Sequence, residues 1–444
     1  MTVAFLSLFF GLITGLYPVE LSVDGPAAAV EIQIDGRTAG RVVAPPWKTM
    51  VDFGPELLPH QVAALALDAQ GRELARDEEW VNLPHPLARL DVLLERQGNG
   101  PAKAAKLVWK NLAGETVRSA SLTFDGQPVK LDKDGRGVLP PHDLSTLHLL
   151  AARVDFIPYR SVRRELAYGG EYGSEVATEL TGVPVRVTAG KLPPAGQLAG
   201  WLAADGKPLS VDAVEDGPAQ LFVVAAVPGS DLDTKVSKLQ KLTWNLLAPG
   251  DELFFVSPLP QRVTGSNETS DLFPISQPSR ALREGTTDLF RGLRKIRFPS
   301  TVTPSFRAAD AVASAGLAAM TQNRRRAVLL ILSGDQEDDS FYDPATVRRF
   351  LAALRVPLFV WYLGTPKPGS AAAAWGAEEM TQSWHVAAGA DHIRKELDSQ
   401  RIVMVDGRHL PQSIALTAKA AGVELVGGNA VGKRALQSRH EVLP

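Results

Sequence analysis

The residues best equipped for chemistry in this chain are short side chains bearing oxygen. Ser230, Asp231 and Asp233 follow the apolar run LFVVAAV. Thr287 and Asp288 stand in GTTDLFRGL. Asp335, Glu337, Asp338 and Asp339 follow AVLLILS. Hydroxyl and carboxylate oxygens at loop ends suit a hard divalent cation or the polar groups of a partner. Other chemistries lack their residues. There is no cysteine, which removes thiolate nucleophiles, disulfides and thiolate metal sites. Neither G-x-S-x-G nor H-E-x-x-H occurs. The eight histidines are scattered; His385 and His392 stand seven apart and form no metal pair. No two carboxylates stand out as an acid and base pair. GGNAVGK (Gly427–Lys433) approaches a phosphate-cradling loop, but Arg434 follows where Ser or Thr would hold Mg²⁺. We therefore expect no nucleotide ligand and no enzyme activity.

The elements that must position these oxygens follow from length and pattern. The chain has 444 residues, enough for several domains. Its 47 Lys and Arg nearly balance 49 Asp and Glu, so a nucleic-acid partner is not expected. At 45% hydrophobic and 22% charged residues, the chain is globular in composition. The cluster Arg153, Arg160, Arg163 and Arg164 reads as a solvated face.

The first half reads as short strands. Val30, Ile32 and Ile34 alternate with polar residues and run into Asp35-Gly36, a tight hairpin signal. Asp-Gly recurs at residues 24, 125, 134, 205 and 216. EIQIDGRTAGRVV and SLTFDGQPVKLD are weakly alike, which points to two related β-sandwich modules at 18–85 and 86–189, the second with strands such as Ser119–Phe124 and Val183–Val187. Residues 190–217 read as a connecting hairpin region. Ahead of them, Val3 to Tyr17 is apolar and uncharged. It suits the core of an export signal over residues 1–17, although no Lys or Arg precedes it and no A-x-A-like site follows; the alternatives are a buried strand or an incorrectly chosen start codon.

From Gln220 the period changes. LFVVAAV, ELFFVS, AVLLILS and PLFVWYL are apolar runs of strand length. Between them lie helical spacings: Val236 to Leu246, Ala308 to Met320, and a helix opened by Asp343-Pro344 as cap and first residue. RIVMV (Arg401–Val405) is expected as the last strand. Alternation of this kind predicts an α/β domain over 218–412, a doubly wound and mostly parallel sheet, followed by a tail at 413–444. Ligands of such sheets gather at the carboxyl ends of the strands.

On LFVVAAVPGS, GTTDLFRGL, the helix ending at Met320 and RRRAVLLILSGD, this domain resembles a von Willebrand factor type A domain. The whole chain is similar to bacterial proteins that place Ig-like β-modules ahead of such a domain. The resemblance implies a metal site built from an Asp-x-Ser-x-Ser motif, a loop Thr and an Asp after the fourth strand. Here the first motif reads Ala226, Val227, Pro228, Gly229, Ser230, and the fourth-strand Asp falls on Ser333. Thr287 matches the loop Thr. The metal motif is thus degenerate, and no cofactor is expected. A relocated Mg²⁺ site would have to draw on Ser230, Thr287 and Asp335.

Together these readings give an exported protein, periplasmic, cell-surface or secreted. It would engage a protein partner through a rim at Ser230, Asp231, Thr287, Asp288 and Asp335, with envelope association through the N-terminus. A metal-dependent adhesion module, a hydrolase using Ser230, and a structural component working through its β-modules are the alternatives.

Overall fold

The computed structural model describes the chain except residues 1, 8, 10, 85–87, 97–100, 112–115, 158–160, 170–171, 177–179, 229–230, 232–234, 236–245, 261–272, 281–288, 290–292, 294–305, 322, 335–336 and 428–444. The chain divides into two compact units, one of residues 85–180 with 406–408 and one of the remainder. Strands dominate, most of them in antiparallel sheets.

The first module holds β1 (Thr2–Phe5), β2 (Leu16–Asp24), β3 (Ala29–Ile34), β4 (Arg37–Val42), β5 (Lys48–Asp52), β6 (His60–Leu67) and β7 (Glu73–Val81). Sheets β1-β2-β5 and β4-β3-β6-β7 share one core that includes Val19, Ile32, Val51 and Val62. The alternation in β2 and β3 follows from side chains pointing to opposite faces of a strand. The apolar stretch Val3 to Tyr17 belongs to this module, which corrects a boundary at residue 17. β1 pairs with β2, and Val3, Phe9 and Ile13 are buried in the core. Asn82 staples the stretch in place. Its Oδ1 accepts from Ile13 N at 2.7 Å and its Nδ2 donates to Ile13 O at 2.8 Å. A run of uncharged residues is what a core-crossing segment needs, and composition alone does not separate that from a leader.

The unit at 85–180 holds β8 (Ala88–Arg96), β9 (Ala102–Asn111), β10 (Val117–Phe124), β11 (Gln127–Val129), β12 (Arg136–Val138), β13 (Leu147–Phe156), β14 (Ser161–Gly169) and β15 (Tyr172–Val176). Its sheets, β12-β9-β8 and β11-β10-β13-β14-β15, enclose Leu107, Leu122, Leu150 and Phe156. The two modules share one piece of wiring. At Asp35-Gly36 and Asp125-Gly126 both residues take positive φ, near +50° for Asp and above +75° for Gly. Each Asp carboxylate then reaches the third strand. Asp35 accepts from Gln61 N at 2.9 Å and meets His60 Nδ1 at 2.8 Å. Asp125 accepts from Leu149 N at 2.8 Å and meets His148 Nδ1 at 2.8 Å. The weak likeness of the two sequences thus has a physical content.

The remaining elements are β16 (Leu180–Val187), β17 (Leu202–Ala204), β18 (Lys207–Pro208), β19 (Val211–Glu215), β20 (Gln220–Ala226), β21 (Glu252–Val256), β22 (Ser279–Arg280), α1 (Ala308–Met320), β23 (Arg326–Leu332), α2 (Pro344–Ala353), β24 (Leu358–Tyr362), α3 (Ala371–Ala374), β25 (Glu378–Glu379), α4 (Ser383–Ser399), β26 (Gln400–Asp406), β27 (Ile414–Leu416) and β28 (Val423–Leu425). Six of these strands form one sheet in the order β22-β21-β20-β23-β24-β25, parallel apart from β22. Every residue of β20 and β23 is buried. On one face Val224, Val328 and Leu330 pack with α1 and α2; on the other Val223, Leu329 and Ile331 pack with α4, Leu289 and Leu293.

RIVMV does not extend this sheet. As β26 it lies between β16 and β19, antiparallel to β19, in the sheet β19-β26-β16-β28. With β18-β17-β27 this sheet encloses Val183, Val185, Leu202, Val403 and Ile414. A third β-module therefore stands where a connecting region at 190–217 and a tail from 413 were expected. It also takes Val183–Val187 away from the second block, and the α/β segment is inserted between its two halves. Arg355 ties α2 to this module. The last turn of α2 closes with Val356 N donating to Leu351 O and Arg355 N donating to Ala352 O, a Schellman pair. Arg355 takes the left-handed position at φ +56°, where glycine is usual. In return its buried guanidinium donates to Pro411 O at 2.8 Å and Ile414 O at 2.7 Å.

Two outcomes are expected. Phe9→Ala, which empties a core site against Phe53, lowers unfolding free energy by about 3–5 kcal/mol in denaturant titrations. The second concerns pH. His148 Nδ1 faces the Asp125 carboxylate, and its Nε2 lies 2.8 Å from Asp143 O. Burial works against the charged ring, but these acceptors win and raise its pKa above the ordinary 6.5. A folded pKa above the unfolded one means that the stabilisation is complete below 6.5 and fades as pH climbs through the folded value. The 85–180 unit should therefore lose thermal stability as pH climbs above 6.5, and His148→Asn should flatten that slope.

Candidate functional site

The parallel sheet has one place where its outgoing connections part. From β20 the chain leads to β21 on one side, and from β23 to β24 on the other. Beyond Ala226 and Leu332 this divergence leaves a crevice, the usual ligand position of an open parallel sheet. Among the described residues no main-chain ladder fills it, and side chains from the two departing loops satisfy one another there.

Three of them do so. Ser333, buried directly after β23, donates to Asp231 Oδ2 across the crevice. Lys235 Nζ donates to the same Asp231 oxygen at 2.9 Å and to Ser333 Oγ at 3.0 Å. The result is a closed triangle of ammonium, carboxylate and hydroxyl. Burial by itself would raise the Asp231 carboxyl, but the hydrogen bonds from Lys235 and Ser333, with the ammonium's charge, hold it below the usual carboxylate range. The Asp231 side chain is 21% exposed and that of Lys235 is 41% exposed, so the triangle opens to water on the lysine side.

The neighbouring loop is tied down by the amino ends of two helices. Asp338 Oδ1 accepts from Ala308 N at 2.9 Å, and Ser340 Oγ accepts from Ala309 N at 2.9 Å. Asp310, buried in the first turn of α1, accepts from Phe341 N at 2.9 Å and Tyr342 N at 3.1 Å while paired with Arg307. Asp343 caps α2 through Ala345 N and Thr346 N, and bonds from Thr346 lower its pKa. Asp338 and Asp343 satisfy orphan helix N–H groups and Asp310 satisfies two loop N–H groups, so each of the three carboxylates already has partners. What this loop presents to solvent is Phe341, 76% exposed, and Glu337, which is also exposed.

Of the residues read from sequence as a binding rim, Asp231 is in the triangle. Ser230, Thr287, Asp288 and Asp335 lie outside the described residues, as does most of GGNAVGK. Sequence reasoning missed Lys235 and took Ser333 only as a lost carboxylate. The signal for Lys235 was there, since it stands four residues after Asp231. Trp361 and Trp375 are buried packing, while Trp384 is 64% exposed at the start of α4.

No protein-family model matches the chain, and no curated protein matches it. Among solved structures it is similar, at 11% identity and a TM-score of 0.16, to the fibronectin(III)-like modules of Clostridium thermocellum CbhA, over 38% of this chain and 93% of that one. A β-glycosidase from Bacteroides vulgatus gives 12% identity and a TM-score of 0.23 over 38% of this chain and 24% of that one. The central fibronectin-III array of RIM-binding protein gives 10% identity and 0.22 over 43% of this chain and 80% of that one. Scores this low carry no argument about function.

The clamp yields a prediction. Asp310→Ala strips a buried partner from Arg307 and frees two loop N–H groups. It should cost about 3–5 kcal/mol and speed amide exchange at residues 339–342, read by hydrogen–deuterium exchange.

Proposed function

We propose that this chain is a non-enzymatic recognition or scaffolding protein. In this reading immunoglobulin-like β-modules carry a von Willebrand factor type A-like domain whose metal site is degenerate, and the protein works in the bacterial envelope. The observation that carries the proposal is the filled crevice. Where a type A domain would hold a cation, Asp231, Lys235 and Ser333 satisfy one another. The order of the sheet and the helices on both its faces support the domain assignment. Partner contact then falls to the rim's shape and to ordinary polar and apolar groups, among them Phe341 and Glu337. A clamped aromatic on a rigid loop is the kind of residue that dominates interfaces. Export stays part of the proposal, with residues 2–17 retained, because cleavage after Tyr17 would strip β1, Phe9 and Ile13 from the first core.

The test is affinity capture from envelope extract with the full chain, with and without EDTA. Partners should be retained equally in both, and Phe341→Ser should reduce capture several-fold. Loss of partners on chelation would instead favour a Mg²⁺-dependent adhesion module using Ser230, Thr287 and Asp335. Capture that is indifferent to Phe341→Ser would move the contact to the β-modules.

A further inference from the structure

We infer that Lys235 supplies, from within the chain, the positive charge that the carboxyl end of the sheet requires, and that Asp231 and Ser333 become a divalent-cation site once that ammonium is removed. The inference rests on the type A-like reading for the meaning of the position, but its geometry stands without it. The two oxygens come from loops about 100 residues apart in sequence and converge on one nitrogen at 2.9 and 3.0 Å. The Asp231 carboxylate is largely withdrawn from water and needs a counter-charge. Lys235 is the cation bonded to it among the described residues.

A Mg²⁺ ion is held by one or two carboxylates with water completing its shell, at about 2.0–2.1 Å. Asp231 and Ser333 offer one carboxylate and one hydroxyl, and the lysine side of the triangle is open to the water that would complete the shell. With Lys235 present the ion would meet a like charge a few ångströms away. The tether also keeps the ammonium at a high effective concentration, which free Mg²⁺ at cellular levels does not match. A charge tied to the chain cannot be chelated or exchanged, so the rim keeps one electrostatic state whatever the metal supply.

Mn²⁺ titration of the full chain, followed by the paramagnetic resonance of free Mn²⁺ and by thermal unfolding, tests this. Wild type and Lys235→Arg should show no saturable binding at this site. Lys235→Met should bind Mn²⁺ at least about tenfold more tightly than wild type and unfold at a higher temperature when it is present. Adding Asp231→Asn to Lys235→Met should abolish both effects. If the Met variant folds poorly, Lys235→Gln, which keeps a donor for Ser333, takes its place. Wild-type binding that Asp231→Asn removes, or a folded Met or Gln variant that binds no Mn²⁺, would overturn the inference. No partner enters this titration, so its failure is separable from failure of the recognition reading, which the capture experiment decides.

Discussion

The constraint on which the functional half depends is the burial of β20 and β23 from both sides. A strand with apolar residues at every position cannot face water on either side, so helices must cover both. Covering both faces sends the connections from these two neighbouring strands in opposite directions, and that divergence opens the crevice. The side chains at its mouth sit on loops whose positions the sheet dictates. The Asp338, Ser340 and Asp310 bonds then fix the loop after β23 against the start of α1.

Within this frame the crevice poses one electrostatic problem. A carboxylate at the end of a parallel sheet, partly screened from water, needs a positive neighbour. A bound metal is one answer, and an ammonium four residues along is another. The lysine answer is local in sequence and independent of ion supply, and it leaves no open coordination position.

Much of this was legible in the residues. LFVVAAV, ELFFVS, AVLLILS and PLFVWYL could only be covered strands, and Asp343-Pro344 could only open a helix. The Asp-Gly turns marked the hairpins, including the one at Asp205-Gly206. What remained hidden shared a cause. RIVMV looks the same in a parallel or an antiparallel sheet, because burial sets its composition and pairing does not. Val183–Val187 gave no sign that its sheet neighbour lies beyond residue 400. Arg326 follows two other arginines and reads as surface charge, yet it is the first residue of β23. It is fully buried with no hydrogen-bond partner for its guanidinium among the described residues, and burial lowers its pKa to about 10. At the site, the Asp231 carboxylate was visible, while Lys235, one residue ahead of the apolar helical spacing that begins at Val236, drew no notice.

The insertion of the α/β segment into the third module has a consequence for biosynthesis. β16 to β19 leave the ribosome well before β26 to β28 exist, and at translation rates of about 5–20 residues per second the wait is on the order of 10 s or more. During that interval the flanks of β16 and β17 that will receive β26 and β27 stay open, ready to join any passing strand. Prompt maturation of the inserted body, which brings residues 219 and 400 to the same end of its sheet through Arg326 and Gln400, shortens the exposure. The nascent protein's resistance to aggregation is therefore set by how fast its middle folds.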